Sequence, residues 1–131
     1  MHTVLIDDDP TALFLTERLL LRDGVADTNA SFQSPTAALT HLRLQVPAGR
    51  VPQVILLDLN MPLVSGWDFL ALLQGEGEAL HGHCVVYLLT SSMALADKTR
   101  AQAHPLVTGF FSKPLNREKI QQIRDQLRPA I

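Results

Sequence analysis

Short apolar runs alternate with helical stripes along the chain. Val4-Leu5-Ile6 is a brief apolar run that ends in Asp7, Asp8 and Asp9. Asp9 followed by Pro10 has the form of an N-cap with proline at the first helical position. Ala12, Leu15 and Leu19 then supply an i, i+3, i+7 stripe, with Gly24 as the C-cap. Residues 25–32 form a weaker strand candidate, polar enough to lie at a sheet edge. Ser34-Pro35 repeats the cap-then-proline signal and opens a second helix through about Leu44. Pro47, Gly49 and Pro52 mark the loop that follows.

The second half of the chain has the same rhythm. Val54-Ile55-Leu56-Leu57 is a buried-type strand ending at Asp58, and Pro62 and Gly66 punctuate the turn after it. A third helix is predicted over about 67–74 and is broken by Gly75-Glu76-Gly77. Residues 84–89 form a fourth apolar strand that ends at Thr90. A modest helix over 94–103 is closed by Pro105, and residues 106–111 form the fifth strand before the Lys113-Pro114 turn. Asn116 caps a last helix, with Leu115 and Ile120 placed as a hydrophobic staple and Ile120, Ile123 and Leu127 as its buried stripe. The leucine-rich stripes on the helices are read as core.

Five β-α units without an internal repeat predict an α/β fold. Continuous apolar strands imply a parallel sheet covered on both faces, and its crossovers are right-handed. Composition narrows the class. With 131 residues, one domain fits better than two. An apolar share of 47% supports a packed core and argues against disorder. Eleven basic against 13 acidic side chains leave a formal charge of −2, so no basic footprint points to direct nucleic-acid binding. The single cysteine, Cys84, cannot form an intrachain disulfide and fits a reducing compartment. No apolar run approaches the roughly 20 residues of a membrane span, and Met1-His2-Thr3 lacks the basic start of a signal peptide. The expectation is a cytoplasmic protein without a membrane partner.

The chemistry collects at the strand ends. Strand one ends in Asp7 and Asp8, strand three in Asp58, strand four in Thr90 and Ser91, and Lys113 follows strand five. In a parallel sheet these ends share one rim, where open α/β folds bind ligands. Carboxylates about 4 Å apart repel by roughly 4 kcal/mol per pair at an effective dielectric of about 20. They must protonate, spread into water or bind a cation. Oxygen donors without histidine or cysteine favour Mg²⁺, with Mn²⁺ as a substitute. Lys113 suits a phosphoryl group as a point charge, Thr90 offers a hydroxyl, and Asp58 is the candidate nucleophile.

The chain resembles a response-regulator receiver domain of two-component signalling. The matching segments are Val4-Leu5-Ile6-Asp7-Asp8-Asp9-Pro10, Leu56-Leu57-Asp58-Leu59-Asn60-Met61-Pro62 with Gly66, Leu89-Thr90-Ser91, and Gly109-Phe110-Phe111-Ser112-Lys113-Pro114. The similarity runs over about 3–127, so residues 1–131 are expected to form a single receiver domain with no output domain. The resemblance implies a flavodoxin-like, doubly wound (βα)5 fold with strand order 2-1-3-4-5 and helices on both faces. It implies that Asp58 accepts a phosphoryl group from a phosphohistidine of a sensor kinase or a histidine phosphotransfer protein. Asp8 and Asp58 would bind Mg²⁺ with the backbone carbonyl of Asn60, and Asp7 would help, partly through water. Lys113 would contact the phosphoryl oxygens, Thr90 would turn toward them, and Phe110 would reposition with it. The Lys113-Pro114 bond is expected to be cis. Such a chain is a phosphorylation switch that acts through an effector protein, not a turnover enzyme.

Three departures from the family pattern stand out. Phe110 replaces the frequent tyrosine, and His104-Pro105-Leu106-Val107-Thr108 replaces a small-residue stretch. Ser91 stands where alanine or glycine is common, which leaves it a secondary claimant to the role of Thr90. Three rival readings are weaker. A flavodoxin-like cofactor binder would not place Asp7-Asp8-Asp9 where a phosphate must sit. An aspartate-nucleophile phosphatase needs an acid where Asn60 stands. An unphosphorylated scaffold would not need the complete acceptor set. Asp9 is a helix cap, His81-x-His83-Cys84 is a polar loop, and His41 and His104 receive no role.

Overall fold

The computed structural model describes residues 2–23, 28–59, 61, 65–75, 84–91 and 95–127. Strands and helices alternate as β1 (His2–Ile6), α1 (Pro10–Arg22), β2 (Thr28–Phe32), α2 (Pro35–Gln45), β3 (Val54–Asp58), α3 (Gly66–Gln74), β4 (Val85–Thr90), α4 (Leu95–Ala103), β5 (Val107–Ser112) and α5 (Arg117–Leu127). All neighbouring strands pair in parallel, in the order β2-β1-β3-β4-β5. This is the flavodoxin-like architecture, with the polar β2 at an edge and the apolar β3 at the centre. No helix among the described residues is long and apolar enough to cross a membrane.

Strand alternation splits the core into two layers. Val4, Ile6, Ile55, Leu57 and Leu88 face α2 and α3, whose Leu39, Leu42, Phe69, Leu70 and Leu73 are buried against them. Leu5, Leu56, Tyr87 and Leu89 face α1 and α5, which contribute Leu13, Leu20, Ile120 and Ile123. Each fully buried leucine or isoleucine contributes about 1.5–3 kcal/mol relative to exposure. The helix α4 is attached more lightly, with Ala101 as its buried residue. Its Arg100 guanidinium lies 4.3 Å from the centroid of the Trp67 ring on α3, a cation–π contact that links the two helices.

The caps begin the helices where the sequence places them. Asp9 accepts from the Thr11 N–H at 2.9 Å, and Asn116 accepts from the Lys119 N–H at 2.9 Å. Leu115 and Ile120 lie buried in one cluster, as a staple requires. At α3, Ser65 and Asp68 form a reciprocal capping box, so the helix starts at Gly66, one residue before the predicted position. The pattern Ser65-Gly66-Trp67-Asp68 ahead of an apolar run is the signal that locates this start.

In α1 the buried face differs from the predicted stripe. Leu13 and Leu20 are buried, whereas Leu15 is 55% exposed. Leucines and Phe14 occupy most faces of this helix, so spacing leaves its rotation open, and packing against Leu5, Leu56 and Ile123 decides it. The helix closes on Asp23, whose N–H bonds the Leu19 carbonyl at 3.0 Å. Gly24, Asn60 and the segment His81-x-His83 lie outside the described residues, as does the side chain of Leu127.

The segment before β5 holds a register irregularity. The β4–β5 ladder shifts between Val86 and Tyr87, and the Thr108 hydroxyl accepts from the Val86 N–H at 3.3 Å. A Cβ on Gly109 would lie 3.0 Å from the Tyr87 ring, which itself stacks on Phe111 at 5.0 Å between centroids. The unusual stretch 104–108 therefore ends in a bulge that seats an aromatic pair.

Candidate functional site

Strand register builds the site. Ile6 pairs with Leu57, so Asp7 and Asp58 leave the sheet side by side at its C-terminal rim. Asp58 pairs with Leu89 and Thr90 with Ser112, which brings Lys113 to the same rim from the far side. The Lys113 N–H donates to the Thr90 carbonyl at 2.8 Å and extends the ladder by one bond.

The carboxylates of Asp7, Asp8 and Asp58 offer oxygens that all lie within 4.8 Å of one another. Asp7 and Asp58 are buried, at 5% and 3% exposure, whereas Asp8 faces solvent. The Lys113 ammonium donates to Asp7 Oδ2 at 2.6 Å and lies 3.5 Å from Asp58 Oδ2. The other Asp7 oxygen, Oδ1, accepts from the Asp9 N–H at 2.9 Å. Burial disfavours the Lys113 ammonium. The hydrogen bond to Asp7 and the charges of Asp58 and Asp7 outweigh that penalty and hold its pKa above the usual lysine value.

The formal charges decide what the site can hold. Three carboxylates against one ammonium leave the rim two units negative, which one divalent cation would neutralise. The donors are hard oxygens, with no histidine or cysteine in the cluster among the described residues. This donor chemistry fits Mg²⁺ or Mn²⁺ and does not fit a thiolate-seeking metal.

Backbone packing holds Asp58 in place. The Gly66 N–H donates to the Leu59 carbonyl at 3.1 Å, and the Leu59 N–H donates to the Leu89 carbonyl at 3.0 Å. A Cβ on Gly66 would fall 2.8 Å from the Asp58 carbonyl oxygen and 2.9 Å from Leu59 Cα. Only glycine lets the start of α3 approach the acidic strand end this closely.

Thr90 is 2% exposed at the end of β4, while Ser91 faces solvent. Phe110 is half-buried on β5 and packs on the α2–α3 side of the sheet. Lys113-Pro114 is a cis peptide bond. A groove of about 180 Å³ runs beside the Asp7–Lys113 pair, between α1 and the β5–α5 turn, with Leu15 and Leu115 in its lining. The structure thus brings Asp7, Asp8, Asp58 and Lys113 into one cluster and sets Thr90 at its edge.

A parallel sheet of this order with an acidic rim and a facing lysine defines a class of α/β domains that can hold a divalent cation at the strand ends. The family model for the response regulator receiver domain matches residues 3–125, and the chain belongs to that family. It is similar to a response regulator receiver protein from Dyadobacter fermentans DSM 18053, with a TM-score of 0.87, 30% identity and 99% of each chain covered. A two-component response regulator from Cytophaga hutchinsonii gives a TM-score of 0.89 at 29% identity, covering 95% of this chain and 94% of that one. A probable methanogenesis regulatory protein, FilR2, of Methanothrix harundinacea (strain 6Ac) is 30% identical over 126 residues, covering 95% of this chain and 79% of that protein. Membership in the receiver family implies a phosphoacceptor role in two-component signalling.

Proposed function

We propose that Asp58 accepts a phosphoryl group from a phosphohistidine on a sensor histidine kinase or a histidine phosphotransfer protein in the cytoplasm, and that the receiver domain then changes conformation to control binding of an effector protein. The observation that carries this reading is the Asp7–Asp8–Asp58 cluster within 4.8 Å, with Lys113 against two of its members. In the transfer an Asp58 oxygen bonds to phosphorus as the phosphorus–nitrogen bond of the donor breaks.

Asp8 and Asp58 would hold Mg²⁺, with Mn²⁺ as a substitute. The Asn60 backbone carbonyl completes the protein ligands in this reading. Asp7 has both oxygens engaged, one by Lys113 and one by the Asp9 N–H, which suits a supporting role through water. When bound, the cation neutralises charge on the transferring phosphoryl oxygens. Lys113, 3.5 Å from Asp58 Oδ2, would follow the charge from the carboxylate onto the phosphoryl group.

Phosphorylation replaces one negative charge at Asp58 with about two and adds strong acceptors. Those acceptors recruit Lys113 and the Thr90 hydroxyl, and Phe110 moves with Thr90. Shifting a two-state equilibrium from 1:99 to 99:1 takes about 5.5 kcal/mol. Two or three charge-assisted hydrogen bonds at about 1.5–3 kcal/mol each are of that size. The chain assists its own Mg²⁺-dependent phosphorylation and dephosphorylation and acts as a switch.

Incubation with acetyl phosphate and Mg²⁺ tests the acceptor. An alkali-labile, hydroxylamine-sensitive acyl phosphate should map to Asp58, vanish in Asp58→Asn and require the metal. Labelling that persists in Asp58→Asn assigns the acceptor elsewhere, and labelling in EDTA removes the cation from the scheme.

A further inference from the structure

We infer that Lys119, on the first turn of α5, is a positioning residue that clamps the turn carrying Lys113. Its ammonium donates to the Ser112 carbonyl at 2.5 Å and the Pro114 carbonyl at 3.1 Å, and lies 3.3 Å from the Ser112 hydroxyl. Those carbonyls flank Lys113 on either side. An ammonium has three donors in total, and this one meets three acceptors on a single turn. A surface lysine often pairs with a carboxylate, whereas Lys119 pairs with none among the described residues and turns to carbonyls instead. Its own backbone is anchored, because its N–H donates to the Asn116 side chain at 2.9 Å.

The two lysines divide the work. The Lys113 N–H ties the turn to β4 through the Thr90 carbonyl at 2.8 Å. Lys119 ties the same turn to α5. Between these anchors the Lys113 side chain projects to Asp7 and Asp58. Without Lys119 the turn keeps its attachment to the sheet and the Leu115–Ile120 staple, and loses the side-chain hydrogen bonds that hold the carbonyls on either side of Lys113. The Lys113 ammonium then samples more positions relative to the phosphoryl group. No motif marks Lys119 in the sequence, because two of its three acceptors are backbone carbonyls brought to it by the turn.

The inference rests on the proposed role of Lys113, and the experiment separates the two. Fluorine NMR titration with beryllofluoride in saturating Mg²⁺ reports the phosphoryl-mimic site, and calorimetric Mg²⁺ titration reports the carboxylates alone. Lys119→Met should weaken beryllofluoride binding by about tenfold, in line with the cost of a misplaced contact group. Mg²⁺ affinity should not fall, because displacing the Lys113 ammonium removes no metal ligand and only weakens an opposing charge. Lys119→Arg, which keeps charge and donors, should recover most of the loss. Beryllofluoride binding unchanged in Lys119→Met but weakened in Lys113→Met overturns the clamp itself. Unchanged binding in Lys113→Met overturns it through the reading beneath it. A parallel loss of Mg²⁺ and beryllofluoride binding in Lys119→Met also overturns it, since that pattern belongs to a general structural role.

Discussion

Lys113 and Asp7 stand 106 positions apart in the chain and meet at 2.6 Å, Nζ to Oδ2. The pair sits where a partly buried ammonium offsets a cluster of carboxylates. Removing the ammonium should act in opposite directions on two ligands. Lys113→Met should bind Mg²⁺ more tightly than the parent, because an opposing charge has gone. It should be labelled more slowly by acetyl phosphate, because the contact to the phosphoryl oxygens has gone too. Calorimetry and a labelling time course check both signs, and a loss of Mg²⁺ affinity would contradict this electrostatic account.

Gly66 touches the backbone of the proposed acceptor. Gly66→Ala should push the start of α3 away from Asp58 and Leu59, since the added carbon falls 2.8 Å from the Asp58 carbonyl oxygen. Overpacking of this kind costs about 1–3 kcal/mol. Urea unfolding should show that loss, and acetyl phosphate labelling should fall with it. Parent-like stability would mean that α3 can shift without strain.

The burial pattern of α1 separates two leucines that look alike in the sequence. Leu20 is fully buried and Leu15 is 55% exposed. Leu20→Ala should cost about 2–5 kcal/mol, whereas Leu15→Ala should stay within about 0.5 kcal/mol. Paired chemical denaturation curves decide between this rotation of the helix and the one its spacing first suggests.

Stability should decline on the alkaline side. Burial pushes the Cys84 thiol up from 9.0 to about 12. The folded chain therefore keeps a proton that the unfolded chain releases, so this contribution is complete below pH 9.0 and shrinks as pH rises toward about 12. Lys113 adds in the same direction. Its folded pKa lies above 10.5, so the stability from its pairing is whole below that pH and is lost as pH passes the folded value. Urea midpoints measured from neutral pH to pH 11 should fall above about pH 9. Cys84→Ser should delay the onset of the decline to the range of Lys113. A flat profile would remove both contributions.

Thr90 is the buried hydroxyl at the rim, and Ser91 is the exposed one. Thr90→Ala should bind beryllofluoride yet fail to pass the change to Phe110, whereas Ser91→Ala should respond as the parent does. Chemical-shift changes of the Phe110 amide on beryllofluoride addition measure this. A full response in Thr90→Ala would take that hydroxyl out of the switch.

Much of this molecule is readable from one dimension. Apolar strand runs, caps at Asp9, Ser34 and Asn116, and polar residues at strand ends are local signals, each rooted in hydrogen bonding or burial within a few residues. They are enough to predict five β-α units and to nominate Asp7, Asp8, Asp58, Thr90 and Lys113. The rotation of α1, the bulge at Thr108, the close approach at Gly66 and the Lys119 contacts are long-range or geometric. Each depends on what another element presents across a gap, and no spacing rule encodes that. Tertiary register decided that the carboxylates come within 4.8 Å and that one lysine reaches two of them. Electrostatic energy depends on separation in space, which the order of residues along a chain does not specify.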